Sequence, residues 1–262
     1  MASRAEADRG ETLSNRSHLQ LSGKSALVTG GARRIGREIA VALARAGADV
    51  AITYLNSPQQ AIQTAAEIKA SGVHGVAVRC DLRDARAVPK AAEQAISQLG
   101  KLDLLVNNAG AYQTRDLDEI SAADWDEMFA VNVRSTFLMT QACTHELRSR
   151  HGRIINIGSL GGIRPWATHA HYCASKAALH MFTQASAKAM APDVIVNCLA
   201  PGMIDQGESE RGSDTLEHLA EKTPMRRNGS TTDVAQGVLF LATCPDFITG
   251  QILAVDGGLG LA

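Results

Sequence analysis

Tyr172 and Lys176 stand four residues apart in His171-Tyr172-Cys173-Ala174-Ser175-Lys176-Ala177-Ala178. On a helix that spacing puts a phenol and an ammonium on one face. A tyrosine at its reference pKa of about 10 is only about 0.1% ionised at pH 7, and an adjacent cation favours the phenolate. The pair therefore suits proton transfer to or from a substrate oxygen. Ser159, in Asn156-Ile157-Gly158-Ser159, supplies a hydroxyl for the same oxygen. A Y-x-x-x-K pair alone is a common surface accident, so its meaning depends on what surrounds it.

A second group of residues has the chemistry of an anion site. Thr29-Gly30-Gly31-Ala32-Arg33-Arg34-Ile35-Gly36 follows an apolar run and leads directly into Arg37-Glu38-Ile39-Ala40. Glycines there allow a tight turn and close approach of a ligand, while the helix that follows offers free N–H groups to a pyrophosphate. An ordinary βα turn is the plain alternative for a lone glycine cluster. After the second apolar run an NAD site usually carries a carboxylate for the ribose 2′-hydroxyl, yet this chain reads Thr53-Tyr54-Leu55-Asn56-Ser57. Without an acid at Tyr54, and with Arg33, Arg34, Asn56 and Ser57 nearby, the turn suits the extra phosphate of NADP. Two solvated arginines are the alternative, in a place where the helix dipole disfavours cations.

The elements that must carry these residues form a regular alternation. Short apolar runs at 26–28, 50–52, 76–78, 104–106, 154–157, 194–196 and 252–255 alternate with helical patterns at 35–46, 58–71, 85–99, 122–149, 171–190 and 232–242. That is the pattern of βα units on a parallel sheet, with helices on both faces. With 262 residues, 45% apolar and 4% aromatic, the composition suits one large α/β domain better than a β-sandwich. Lys and Arg number 26 against 27 Asp and Glu, which excludes a polyanion partner such as nucleic acid or an anionic membrane. Five cysteines without C-x-x-C spacing read as buried thiols of a reducing compartment and support neither a disulfide framework nor a metal site. Residues 1–20 contain no apolar h-region and read as a flexible extension, and no run is long enough to span a membrane, so a cytoplasmic location is expected. Stretches 161–170 and 203–221 read as loops around the substrate.

With these residues assembled, 21–261 resembles the short-chain dehydrogenase/reductase superfamily. Besides the glycine turn and the Ser159, Tyr172 and Lys176 set, Asn107-Asn108-Ala109-Gly110 matches the family's N-N-A-G and Asp81-Leu82 its adenine-contacting dipeptide. Asn132 matches its helix asparagine, and Pro201-Gly202 and Val255-Asp256-Gly257-Gly258 complete the set. The resemblance implies a single Rossmann domain over 21–262 with seven parallel strands in the order 3-2-1-4-5-6-7. It also implies a catalytic centre of Asn132, Ser159, Tyr172 and Lys176, with Asn132 holding a water relay. Ser159 would hold the carbonyl oxygen, Tyr172 supply the proton, and Lys176 anchor the nicotinamide ribose and lower the tyrosine pKa. Gly30, Arg33, Arg34, Ile35, Tyr54, Asn56, Ser57, Asp81 and Leu82 would bind the nucleotide end of NADP(H). Asn108, Ala109, Gly110, Tyr172, Lys176, Pro201, Gly202 and Ile204 would line its nicotinamide side.

The expectation is thus an NADPH-dependent reductase of a small-molecule ketone or 3-oxoacyl carbonyl, without a metal. A homotetramer is expected from the family habit and from the apolar ending 251–262. Two departures stand out. Arg34 replaces the middle glycine of T-G-x-x-x-G-x-G, a variant similar to pteridine reductases, and Gln206 replaces the threonine that commonly follows P-G-x-x-x. Reduction of a pterin C=N bond is therefore the alternative activity, and a non-catalytic NADPH sensor the alternative outside enzymes. His169 and His171 read as polar loop residues beside the catalytic helix, with Arg164 and Trp166 in the stretch that shapes the substrate pocket.

Overall fold

The computed structural model describes residues 20–207 and 213–261. The expected N-terminal extension, apart from Gln20, and residues 208–212 lie outside the described residues. The apolar runs become strands β1 (Ser25–Val28), β2 (Asp49–Tyr54), β3 (Gly75–Arg79), β4 (Leu104–Asn107), β5 (Arg153–Ile157) and β6 (Ile195–Pro201). After two strands of two residues each, β7 (Ile204–Asp205) and β8 (Gly229–Ser230), β9 (Ile252–Val255) completes the set. The main sheet is parallel throughout, in the order β3-β2-β1-β4-β5-β6-β9. This is the order expected from the sequence, with β9 as its seventh strand. The paired β7 and β8 were not expected, since two residues carry no readable periodicity.

Side-chain alternation along the buried strands builds two cores. Ala26 and Val28 of β1 pack with Ile39 and Leu43 of helix α1 (Arg34–Arg45). Leu27 faces the other way, toward helix α3 (Ala87–Leu99), which follows α2 (Pro58–Ala70). Helices on both faces are thus required by β1 itself, whose four residues are all buried.

Two helical readings change. The expected helix 122–149 is divided into α4 (Ala122–Phe129) and α5 (Ser135–Ser149) by a π-helical stretch over Ala130–Arg134. Hydrophobic period does not register one inserted residue, but such insertions collect at functional sites, and Asn132 sits in this one. The long helix α6 (Ala170–Met190) carries Tyr172 and Lys176 as expected. The stretch 203–221, read as a loop, holds β7 and most of α7 (Ser213–Lys222), ahead of α8 (Thr231–Thr243). The glycines and charges that suggested a loop precede or sit on a short helix; Thr223, just past its end, donates its hydroxyl to Leu219 O at 2.8 Å. β6 also runs five residues beyond the expected 194–196. Asn197, the first residue past that run, is buried with its amide donating to Ile248 O at 2.7 Å and its oxygen accepting from Gln251 N at 2.9 Å.

A buried polar chain ties the catalytic helix to the sheet. Asn107 Nδ2 donates to Asn156 Oδ1 at 2.9 Å, and Asn156 Nδ2 donates to Thr183 Oγ1 at 2.9 Å. The chain joins β4, β5 and α6 at the strand ends where the site forms. Asn156→Ala leaves Asn107 and Thr183 without this partner at no relief of burial, which costs about 1–3 kcal/mol. A fall in melting temperature of roughly 2–4 °C per kcal/mol is expected on thermal unfolding.

Candidate active site

The site begins where β1 ends. Thr29 Oγ1 accepts from the backbone N–H groups of Asn108 and Ala109, both at 3.0 Å. Asn108 Nδ2 donates in return to Thr29 O at 2.9 Å and Gly30 O at 3.2 Å, while Gly30 N donates to Thr53 Oγ1 at 3.1 Å. These bonds lock the glycine turn to β4 and β2. Gly36 has to be glycine, because a Cβ there would stand 2.2 Å from Gly30 O. Arg34, in the place of the family's middle glycine, adopts φ +54°, a left-handed conformation that costs a side-chain-bearing residue about 1–2 kcal/mol. The first turn of α1 has no acidic residue and no side-chain cap, so its N–H groups face the cleft for an anion.

Beyond the turn, Tyr54 and Leu55 are half-buried and no carboxylate closes the end of β2. Asp81 lies beside them, its carboxylate gripped by Arg83 through Nε at 3.0 Å and Nη2 at 2.8 Å. The guanidinium holds the Asp81 carboxyl below the usual carboxylate range. Arg83 lines the cleft but was missed in the sequence, where it reads as one member of a solvated charge run.

At the other end Ser159 is buried, its hydroxyl accepting from Gly161 N at 3.0 Å. A Cβ on Gly161 would stand 3.4 Å from Ser159 Oγ and 3.3 Å from Tyr172 Cε1, so the serine hydroxyl and the tyrosine ring flank the same open point. Lys176 Nζ donates to Ile157 O at 2.8 Å and lies 5.9 Å from the centre of the Tyr172 ring. Burial pushes its pKa from 10.5 down to about 8. Asn132 is buried behind this wall: its Oδ1 accepts from Ala111 N at 2.7 Å and its Nδ2 donates to Ala111 O at 3.1 Å and Ser175 Oγ at 2.9 Å. A Cβ on Gly110 would come 3.2 Å from Asn132 Oδ1 and 3.5 Å from Lys176 Nζ, so the glycine keeps the space between them open.

One cavity of about 530 Å³ joins the two ends. Gly30, Arg33, Arg34, Ile35, Tyr54, Asn56, Ser57, Asp81, Leu82, Asn108, Ala109 and Gly110 line it, together with Ser159, Tyr172, Lys176, Pro201, Gly202 and Ile204. Asn132 is the one expected site residue that does not. His169 stands in the connection just ahead of α6, as read, and is buried; the reading of His171 as a loop residue is corrected, since it lies buried on α6, hydrogen-bonded through Nε2 to Gln113 Oε1 at 3.0 Å. His180 was not singled out, although its signal is plain: it stands one helical turn after Lys176. It is buried under the Ser159 loop, accepting from Ser159 N at 3.4 Å, and burial followed by the charge of Lys176 pushes its pKa down to about 4. Gly158 makes room for it, since a Cβ there would be 2.3 Å from His180 Nε2.

A doubly wound parallel sheet with its cleft at the switch point between β1 and β4 is a dinucleotide-binding architecture. A family model described as enoyl-(acyl carrier protein) reductase matches residues 30–260. The chain is 39% identical over 240 residues to a Staphylococcus aureus protein named 3-oxoacyl-[acyl-carrier-protein] reductase FabG, covering 90% of this chain and 98% of that one. It is 38% identical over 246 residues to a protein of the same name from Aquifex aeolicus, covering 92% and 99%. Among solved structures, a short chain dehydrogenase from Burkholderia cenocepacia in complex with NADP superposes with a TM-score of 0.87 at 38% identity, covering 92% of this chain and 99% of that one. A blue fluorescent protein from a metagenomic library in complex with NADPH gives 0.85, also at 38% identity, covering 92% and 99%. The chain belongs to the short-chain dehydrogenase/reductase family of NAD(P)-dependent oxidoreductases.

The buried Lys176 has a measurable pH signature. Between about pH 8 and 10.5 the unfolded chain holds a proton on this lysine that the folded chain does not, so folding becomes more favourable as pH rises through that window. Urea unfolding of wild type and Lys176→Met at several pH values is expected to show wild type gaining stability on the variant from pH 8 to 10.5. A constant difference would show that the lysine titrates as it does in water.

Proposed function

We propose that the protein reduces the carbonyl group of a small-molecule ketone or 3-oxoacyl substrate with NADPH. The observation that carries this reading is the single cleft with a proton-transfer group at one end and an uncapped, arginine-flanked helix start at the other. The cleft fits the cofactor: glycines let the turn after β1 pack tightly against its neighbours, and no acid at the end of β2 repels a 2′-phosphate. Gly30, Ile35 and the first turn of α1 hold the pyrophosphate; Arg33, Arg34, Tyr54, Asn56 and Ser57 meet the 2′-phosphate. Asp81 and Leu82 border the adenine, and Asn108, Ala109, Gly110, Pro201, Gly202 and Ile204 border the nicotinamide. When bound, NADPH supplies the hydride.

The chain's own residues handle the oxygen. The Ser159 hydroxyl donates to the carbonyl oxygen, and Tyr172 gives it a proton as negative charge develops there. Lys176 holds its cation beside the phenol and contacts the nicotinamide ribose. Asn132 serves the centre by holding Ala111 and α6 together. The 3-oxoacyl option is supported by the names of the relatives, and pterin reduction, the second reading, by Arg34. Five free, buried cysteines support a cytoplasmic place, and the part-exposed edge strand β9 supports assembly of copies into a homotetramer. Among the described residues no helix is long and apolar enough to cross a membrane.

Loss of NADPH absorbance across a panel of ketones, 3-oxoacyl thioesters and dihydropterins tests the activity. NADPH is expected to be preferred over NADH at least tenfold, since charge-assisted bonds to the 2′-phosphate contribute about 1.5–3 kcal/mol each. Equal catalytic efficiency with NADH would contradict the assignment of Arg33 and Arg34. Tyr172→Phe keeps the ring but loses the proton donor, so turnover is expected to fall about 10²–10⁴-fold while NADPH affinity, read by fluorescence titration, persists. Retention of more than about a tenth of the turnover, with chemistry limiting, would refute the general-acid role.

A further inference from the structure

The chain is poor in aromatic residues, with three Tyr, two Trp and five Phe. All three tyrosines and Trp166 line the cleft, and none of the phenylalanines does. Three of these four rings gather at the substrate end. Tyr112 meets Tyr172 edge-on, with centroids 5.0 Å apart and planes at 77°. Trp166 lies nearly parallel to Tyr172, at 17° and 6.3 Å. Their offset and edge-to-face arrangement is the one that ring quadrupoles favour.

His169 keys this group from behind. It is buried, with Nδ1 against Thr168 Oγ1 at 2.9 Å and Nε2 against Thr114 Oγ1 at 3.0 Å and the Tyr112 hydroxyl. Its ring lies 5.0 Å from that of Tyr112 and 5.5 Å from that of Trp166. Tyr112 is 41% exposed, and an exposed ring would ordinarily turn freely. Here it is held in place before any ligand arrives, so less rotamer entropy remains to be lost on binding.

We propose that Tyr112, Trp166 and Tyr172, keyed by His169, form a preformed stacking slot that selects carbonyl substrates attached to a flat ring over open-chain 3-oxoacyl groups. The proposal rests on the reading above that Ser159 and Tyr172 hold the carbonyl oxygen, which brings the group bonded to that carbonyl up to these rings. A flat ring gains stacking in addition to the apolar area that a chain would also bury. Tyr112, Trp166 and Tyr172 are then specificity-determining residues, and His169 is a positioning residue acting through Tyr112.

The test compares kcat/KM with NADPH for 1-tetralone and for the acetoacetyl thioester of N-acetylcysteamine. Wild type is expected to favour the ring ketone. Trp166→Ala and Tyr112→Ala are each expected to lower the ring-to-chain ratio by about two- to tenfold, the worth of one aromatic contact, and Trp166→Phe to keep most of it. His169→Ala is expected to lower the same ratio, with His169→Gln restoring it by leaving a partner for the Tyr112 hydroxyl. Trp166→Leu provides the comparison if an alanine variant does not fold. A wild-type preference for the thioester, or a ratio unmoved by loss of the rings, overturns the slot. NADPH oxidation with neither substrate class nor any other carbonyl overturns the reductase reading itself, and the slot with it.

Discussion

Asn108 spends its side-chain amide on two backbone carbonyls, those of Thr29 and Gly30, and the cleft depends on that choice. A parallel sheet must part at its switch point, because the chain leaves β1 on one side and β4 on the other. Parting exposes carbonyls and N–H groups that no ladder satisfies, and each would cost free energy if buried without a partner. Thr29 Oγ1 takes two of the N–H groups and Asn108 Nδ2 answers two of the carbonyls. The crevice stays open with its backbone satisfied, and a ligand inherits a rigid floor.

The same economy of polar groups runs through the catalytic end. Lys176 and His180 are buried one turn apart on α6, and both are pushed toward neutrality by the same desolvation. Neutral His180 accepts from Ser159 N, which a protonated imidazole could not do. The glycines at 158 and 162 let the loop wrap this imidazole, since a Cβ at either would strike it at 2.3 or 2.6 Å. Ser159 is therefore positioned from below by His180, which is not among the residues lining the cleft.

What was legible in the sequence was what local spacing encodes. Tyr172 and Lys176 share a helical face by their separation alone, and the strands of the main sheet announced themselves as apolar runs between helices. Less legible was whatever depends on a partner distant in the chain. Thr29 and Thr53 are ordinary strand-end hydroxyls until the fold brings Asn108 and Gly30 to them. The apolar run stops at Val196, and the partners that let polar Asn197 continue β6 in the core, Ile248 and Gln251, lie some fifty residues on. The π-helical stretch around Asn132 left no trace in the periodicity. His180 and Arg83 were overlooked for opposite reasons, one hidden in an apolar helix and the other among surface charges.

The sheet order also dictates a timetable. β1 is an interior strand and precedes all the others in the chain, yet its partner β4 begins only at Leu104. At a synthesis rate of about 5–20 residues per second, roughly 4–16 s separate their emergence from the ribosome. Until that interval has passed, β1 can pair only with β2, and the layer that buries Leu27 still lacks α5. The last strand to join, β9, comes from the C-terminal end of the chain and seals β6. Until Ile252–Val255 has been made, β6 presents an unpaired edge, and an unpaired strand edge is a template for pairing with another chain.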